Sequence, residues 1–289
     1  MLNQSVGGQT LLKAGNDINL GTNTVGRYQE NRLNVDNYII RAEQTDIGSS
    51  IQTHGEVALL AGRDINAKAA QVSSSDGQLD VIAGRDINIG TGNQHTLIDV
   101  GSKHTGRSGG GNKQVETTKI TVNDQQSLAS DFGGSVLNVK AGNNVNVSGS
   151  SLISDNHTQV VAGNNVEILA AEEYNQTDSF YSKKKSGLMS SGGIGFTVGS
   201  KKETTEISSD TLNHAASTVG SLHGDTNIVA GNGYTQSGSI VSSPEGNINI
   251  FAKQIDIKAA EDQYASDYKH TMEQKGFTVA VNVPVVNAI

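Results

Sequence analysis

The stretch AGRDINAKAAQVSSSDGQLDVIAGRDINIGTG, residues 61 to 92, contains one phrase twice, at an interval of 22 residues. Each copy reads Ala-Gly, two polar residues, and then an aliphatic, a polar and an aliphatic residue. This alternation with a period of two is typical of a β-strand that has one buried and one wet face. A phrase that recurs at such an interval indicates a repeat protein, in which each unit packs on the next.

The phrase recurs along the whole chain. The residue three positions before its glycine is always Leu, Val or Ile, and the residue just before it is always Ala. Within pairs, neighbouring copies lie 21 or 22 residues apart, which predicts one coil of a solenoid. The repeat-defining positions are Gly15, Gly62, Gly84, Gly142, Gly163, Gly231 and Lys253, the last of which replaces the glycine.

The spacing predicts about three short strands in each coil. A second turn falls seven residues before the reference, where Gly or Asn adopts positive φ at low cost, and a further aliphatic residue follows ten after it. The 47 residues between Gly15 and Gly62 are interpreted as two coils, with residues 38–47 as a degenerate copy. The prediction is an all-β, right-handed parallel β-helix of about ten coils and roughly 45 to 50 Å. Asn and Asp at the turns are expected to form hydrogen-bonded ladders along its axis.

The remaining gaps between pairs of copies, 58 and 68 residues, are too long for two coils and predict insertions. We expect a single β-helix domain over 1–289, with extruded β-hairpins at about 95–124, 172–210 and 261–289. The last two share the phrase Gly-Phe-Thr-Val, and the alternating strands that contain it, residues 194–199 and 277–283, carry no charge; lysines flank the strand in the second insertion. Such strands either contact a membrane or lie against the solenoid. The candidate membrane-contact residues are Ile194, Phe196, Val198, Phe277, Val279, Val281 and Val283.

Composition excludes several kinds of site. The chain has no cysteine, so disulfides and thiolate chemistry are absent, and its net charge of −8 argues against nucleic acid as a partner. The histidines lack metal-ligand spacing, and no phosphate loop or nucleophile elbow is present. We therefore predict no catalytic, metal or cofactor site. The rival class is a β-helical polysaccharide lyase or hydrolase, which would need acidic or basic residues converging from adjacent coils.

The repeat sequence resembles the haemagglutinin repeats of filamentous-haemagglutinin-type exoproteins. The phrases YNQTDSFYSKKKSGLMSSGGIGFTVGSKK (174–202), SPEGNINIFAKQIDIKAAEDQY and GFTVAVNVPVVNAI look more narrowly like the second, C-terminal repeat region of contact-dependent growth inhibition effectors. This resemblance implies that the chain is part of a larger, secreted cell-surface exoprotein, which passes the periplasm and is exported by an outer-membrane two-partner secretion transporter.

The same resemblance implies that the repeat region helps to deliver a C-terminal toxin across the outer membrane of a target cell. The alternative is a passive stalk of a filamentous adhesin. Whichever holds, the cut ends of a solenoid fragment expose unpaired strand edges, so end-to-end self-association is expected.

Overall fold

The computed structural model describes residues 2–3, 8–108, 112–190 and 195–280. These residues form strands, turns and bends, and no helix long and apolar enough to cross a membrane is found among them. The strands are β1 (Leu2–Asn3), β2 (Thr10–Ala14), β3 (Ile18–Leu20), β4 (Thr22–Asn34), β5 (Asn37–Gly48), β6 (Ser50–Thr53), β7 (Val57–Ala61), β8 (Ile65–Lys68), β9 (Gln71–Ser74), β10 (Gln78–Ala83), β11 (Ile87–Gly90), β12 (Gly92–Ser108), β13 (Asn112–Leu128), β14 (Asp131–Ala141), β15 (Val145–Ser148), β16 (Ser151–Ala162), β17 (Val166–Leu169), β18 (Ala171–Ser190), β19 (Gly195–Ala215), β20 (Thr218–Ser221), β21 (Thr226–Ala230), β22 (Gly233–Ser237), β23 (Ile240–Ser242), β24 (Ile248–Phe251), β25 (Gln254–Lys258) and β26 (Gln263–Ala280).

The short strands form a parallel β-helix, which confirms the predicted fold class. Each coil contributes three strand segments, and every segment pairs in parallel with its counterpart one coil away. The first face stacks β1, β6, β9, β14, β16, β20 and β23; the second stacks β2, β7, β10, β14, β16, β21 and β24; the third stacks β3, β8, β11, β15, β17, β22 and β25. Strands β14 and β16 are long enough to cover two faces.

The core consists of columns of identical positions. Residues three before the reference glycine stack directly on one another, as Leu59 does on Val81 and Val81 on Val139. Residues three after it form a second buried column, in which Tyr234 takes a place held elsewhere by Ile or Val. Burial raises the pKa of Tyr234 to about 12, and its hydroxyl donates to Gln236 Oε1 at 2.7 Å. The narrow interior therefore fills with small aliphatic side chains and few aromatic rings.

The reference glycines are required by close approach of the coils. A Cβ on Gly84 would lie 2.2 Å from the carbonyl oxygen of Gly62, and a Cβ on Gly62 would lie 2.1 Å from that of Gly15. The same contact recurs at Gly142, Gly163 and Gly231. The expectation of positive φ at the second turn was wrong: Gly55 and Gly77 do not adopt it, and they too are needed for lack of space against the coil beneath.

Three details of the predicted repeat were also wrong. The structure contains seven coils in the described residues, about 30 Å of stacked core rather than 45 to 50 Å. Residues 38–47 are not a degenerate coil, since Leu12 stacks directly on Leu59 and the intervening chain forms the antiparallel hairpin β4–β5. Lys253 does not replace the glycine: its N–H donates to Asn232 O at 2.9 Å, so it aligns with Asn232 and the glycine is deleted.

The expected polar ladder is present at the turn after the reference glycine. The backbone N–H of Asp86 donates to Asp64 Oδ1 at 3.3 Å, and Arg85 Nε donates to the same oxygen at 2.7 Å. Farther along, the N–H of Asn165 donates to Asn144 Oδ1 at 3.2 Å. Each Asp or Asn side chain thus satisfies a backbone donor of the neighbouring coil. A second ladder of side-chain amides joins Asn19, Asn66, Asn88 and Asn146.

Coil stacking predicts opposite outcomes for two glycine substitutions. Gly84→Ala should lower stability by about 1–3 kcal/mol, because the new methyl group would collide with the backbone of the coil beneath. Gly15→Ala should be neutral or slightly stabilising, since a Cβ at that position would meet no heavy atom within 4 Å and the unfolded chain loses entropy. Thermal unfolding followed by circular dichroism measures both. Equal midpoints for the two variants would contradict the stacking argument.

The ladder of Asp and Asn side chains at the turn predicts that the fold is less stable at low pH. The hydrogen bond from Arg85 holds the pKa of Asp64 below its usual value, so the stabilisation from this carboxylate is present above the unfolded-state pKa near 4. It is lost as the pH falls through the lower folded-state pKa. Asp64→Asn keeps an acceptor of the kind found at Asn144, and should reduce the difference in unfolding midpoint between pH 7 and pH 2. Asp267→Asn on exposed β26 is the control and should leave that difference unchanged.

The last coil predicts self-association of the chain. Core-facing Ile248, Ile255 and Ile257 are 44%, 50% and 61% exposed, because no described strand stacks beyond them. Sedimentation velocity should therefore show larger species as concentration rises, and Ile255→Lys combined with Ile257→Lys should suppress them. A wild-type chain that stays monomeric across the concentration series would refute this expectation.

Candidate functional site: the projecting hairpin sheet

The long strands all leave the solenoid at one corner, between the third face and the first face of the next coil. Hairpins β4–β5, β12–β13 and β18–β19, together with β26, depart after the first, third, fifth and seventh coils. At the intervening coils the chain turns tightly through Ala69, Gly149 or Gly238, whose φ values are 47°, 54° and 56°. The corner therefore alternates between a left-handed turn and an extruded segment.

Buried serines stabilise this corner. Ser130, Ser150 and Ser217 are at most 1% exposed. The N–H of Ser130 donates to Ser150 Oγ and the N–H of Ser150 donates to Ser217 Oγ, both at 3.2 Å. Their hydroxyls donate to carbonyl oxygens of strands that end there, for example Ser217 to Leu169 O at 2.6 Å. The hydroxyls thus satisfy backbone groups where the coil is interrupted. Serine is common throughout the chain, so the sequence pattern does not predict this ladder.

The extruded strands join into one antiparallel sheet, here called the hairpin sheet, in the order β26, β19, β18, β13, β12, β5 and β4. Hairpins that leave every second coil are separated by two coil spacings, about 9.6 Å. A hairpin consists of two strands, which occupy the same distance in a sheet. Because the two periods match, each hairpin pairs with the next without a gap or an overlap.

The hairpin sheet is a single layer with both faces exposed. Its strands contact chiefly one another, and apolar side chains on either face remain accessible, including Tyr28 and Tyr174 on one and Ile120 and Ile207 on the other. The alternative that the hairpins lie against the solenoid and cover its flank is therefore wrong for the described residues. With 20 residues, β18 carries its far end about 60 Å from the corner.

The far end of the hairpin sheet brings the two predicted apolar segments together. Phe196 pairs with Val279 and Val198 pairs with Phe277, so the two Gly-Phe-Thr-Val phrases run antiparallel to each other. Leu188, which the sequence reading did not select, pairs with Val198 on its other side. We call Leu188, Phe196, Val198, Phe277 and Val279 the tip patch. The predicted residues Ile194, Val281 and Val283 lie outside the described residues.

The tip patch is exposed and uncharged. Its side chains share one face by the strand register, and Phe277 is 75% exposed. On the opposite face Thr197 is buried and its Oγ1 lies 2.8 Å from Thr278 Oγ1. No charged residue occurs in 187–190, 195–199 or 276–280. An exposed apolar patch without charge marks a surface that favours an apolar environment over water.

A row of glycines separates the tip patch from the rest of the sheet. Gly187, Gly199 and Gly276 occupy adjacent strands at the same level, with φ of 132° at Gly187 and 156° at Gly276. A Cβ on Gly199 would lie 2.1 Å from Lys275 O. The strands therefore approach closely at this level, where no side chain fits.

Immediately behind the glycines lies a band of cationic side chains. We define the basic belt as Arg107, Lys113, Lys183, Lys184, Lys185, Lys201, Lys202 and Lys275. Lys183 Nζ lies 2.8 Å from Glu116 Oε1, and Lys201 Nζ lies 2.6 Å from Glu203 Oε1. These lysines hold the pKa values of Glu116 and Glu203 below their usual range. Lys183, Lys185, Lys201 and Glu203 line a shallow cleft.

The described residues contain no group of His, Cys, Asp or Glu side chains arranged to hold a metal ion. Many carboxylates of the hairpin sheet pair with neighbouring hydroxyl, amide or cationic side chains, for example Asp99 Oδ1 with Tyr38 Oη at 3.2 Å, and cations concentrate near its far end. Its chemistry is therefore that of a contact surface with an apolar end and a cationic band.

The sequence matches the family model for the haemagglutinin repeat over residues 22–133 and 108–276. It is 32% identical over 248 residues to the tRNA nuclease CdiA of Escherichia coli strain STEC_O31, an alignment that covers 85% of this chain and 7% of that protein. It is 31% identical over 247 residues to the 16S rRNA endonuclease CdiA of Enterobacter cloacae, covering 84% of this chain and 7% of the relative. No solved structure matches the chain.

These relatives are far longer than this chain, which spans 6–7% of the first proteins it matches. The shared part is the haemagglutinin-repeat region. The chain therefore belongs to the haemagglutinin-repeat family and forms a haemagglutinin-repeat region of a CdiA-type protein.

Proposed function

We propose that this chain is a non-catalytic segment of a secreted cell-surface exoprotein and helps to deliver a C-terminal toxin across the outer membrane of a target cell. The observation that carries this proposal is the tip patch, an uncharged apolar surface held about 60 Å from the solenoid at the end of a projecting sheet. In this function the solenoid is the support and the tip patch contacts the membrane.

The form of the hairpin sheet supports a contact role. A spacer needs only stacked coils, yet three hairpins and a seventh long strand leave one corner and build a second sheet. Aromatic and aliphatic side chains in water carry a free-energy cost, and the tip patch places several of them side by side. Contact with lipid removes this cost, whereas a passive stalk gives no reason for it.

The parent protein supplies the remaining steps of the proposed function. An outer-membrane transporter of the two-partner secretion type exports the chain through the periplasm to the cell surface, and a separate region carries the nuclease activity after which the relatives are named. The repeat region corresponds to the second repeat region of such effectors. A passive adhesin stalk is the second candidate, supported by the long parallel stack alone.

Substitution of the tip patch should separate these two functions. In the full-length exoprotein displayed on inhibitor cells, Phe196→Ser with Phe277→Ser should lower toxin-dependent growth inhibition of target cells at least tenfold, because the apolar contact is lost. Surface display and cell-to-cell adhesion should stay at the wild-type level. The measurements are competition between the two strains and flow cytometry of the displayed protein.

The matched control is Tyr264→Ser with Tyr268→Ser. These aromatic residues are also exposed on β26, at 72% and 65%, but they lie near the solenoid end of the sheet. This variant should inhibit target cells as the wild type does. Full inhibition by the tip variant would remove the delivery function and leave the stalk.

A further inference from the structure

The charge distribution along the hairpin sheet changes abruptly near its end. The belt region comprises four levels of the sheet, residues 104–107, 113–116, 183–186, 200–203 and 272–275. It contains the eight cations of the basic belt and three carboxylates, a net charge of five positive. The whole chain has a net charge of −8. The basic belt is therefore a positively charged region on a chain whose net charge is negative.

Several belt cations face each other across strands. Lys184 is directly opposite Lys202, and Lys185 is directly opposite Lys201. Like charges directly opposite in a sheet are destabilising. Lys184, Lys185 and Lys202 form no ion pair with any residue in the described part of the chain. Glu273, directly opposite Lys202 on its other side, and Glu203, which contacts Lys201, offset part of this repulsion. A bound anion beside Lys184 and Lys185 would relieve the remainder.

The distances along the strand are comparable with the depth to which apolar side chains of interfacial proteins enter a lipid monolayer. Lys275 precedes Phe277 by two residues and Val279 by four, so the apolar side chains extend about 7 to 13 Å beyond the nearest cation. Interfacial protein segments bury their apolar side chains about 5 to 10 Å deep while Lys and Arg stay at the headgroups. A sheet that enters end-on would place its cations at the level of the lipid phosphates.

We propose that the basic belt binds the phosphate groups of anionic lipids while the tip patch enters the hydrocarbon region of the same leaflet. This inference rests on the proposed membrane contact and names its partner class. Charge complementarity selects a phosphate-bearing surface: the cationic pairs lie directly behind the apolar end on both faces, and the acidic remainder of the protein is repelled from such a surface and kept away from it.

The test is equilibrium binding of the 289-residue chain to vesicles of phosphatidylcholine, with and without phosphatidylglycerol. The wild type should bind the anionic vesicles at least tenfold more tightly, and added salt should reduce this preference. Lys184→Gln with Lys202→Gln should lower affinity for anionic vesicles roughly 10- to 30-fold, while binding to neutral vesicles is unchanged. The matched control, Lys119→Gln with Lys269→Gln, removes two cations far from the tip and should retain the preference.

The outcomes separate this inference from the proposed function. Equal wild-type affinity for both vesicle types, or an equal loss in the control variant, would overturn the lipid-phosphate site and leave membrane contact intact. Absence of binding to either vesicle type would overturn both. Inorganic phosphate, compared with potassium chloride at the same ionic strength, should not displace the chain from anionic vesicles. Displacement would show that the belt binds free phosphate and would contradict a lipid-specific role.

Discussion

The spacing between hydrogen-bonded strands, about 4.8 Å, governs both parts of this molecule. In the solenoid it brings backbone against backbone, so that the position of Gly84 over Gly62 admits no side chain. In the hairpin sheet the same spacing means that the two strands of one hairpin span the same distance along the solenoid axis as two coils. A hairpin on every coil would need twice the available height, and one on every third coil would leave a gap. Two coils for each hairpin is the arrangement in which both sheets are continuous.

The two parts are stabilised by different interactions. The solenoid has a dry interior of stacked Val, Ile and Leu, and its polar turns are joined by Asp and Asn ladders. The hairpin sheet has no interior, so cross-strand hydrogen bonds and side-chain pairs provide its stability. The side chains at its strand ends are therefore not constrained by packing in a core, and apolar or cationic residues there remain available for contact with a partner. The like-charged lysine pairs and the exposed tip patch both reduce stability locally, and both lie at the end farthest from the solenoid.

The different roles of the solenoid and the hairpin sheet give the proposed delivery function a physical basis. Each coil of the solenoid is held in place by contacts with the coils next to it, so the stack fixes where each hairpin leaves. The serine ladder at the extrusion corner preserves backbone hydrogen bonding where the coils are interrupted, so the projecting sheet is attached without a break in the stack. The result is a rigid support with an apolar and cationic contact surface at the far end of the sheet.

The sequence by itself determined the coil: the 22-residue interval, the aliphatic columns and the polar turn ladder follow from alternation and turn chemistry, because each copy of the repeated phrase stacks on the copy before it. It also located Phe196, Val198, Phe277 and Val279 as an uncharged alternating set. It misassigned residues 38–47, because a hairpin strand and a degenerate coil have the same period of two. Only the tertiary structure decided that Leu188 joins the tip patch, that the lysines form a belt, and that buried serines line the corner. These features combine residues from strands that are far apart in sequence. Which of these residues lie side by side depends on the register between strands and on where each hairpin begins and ends, and the alternation of apolar and polar residues specifies neither.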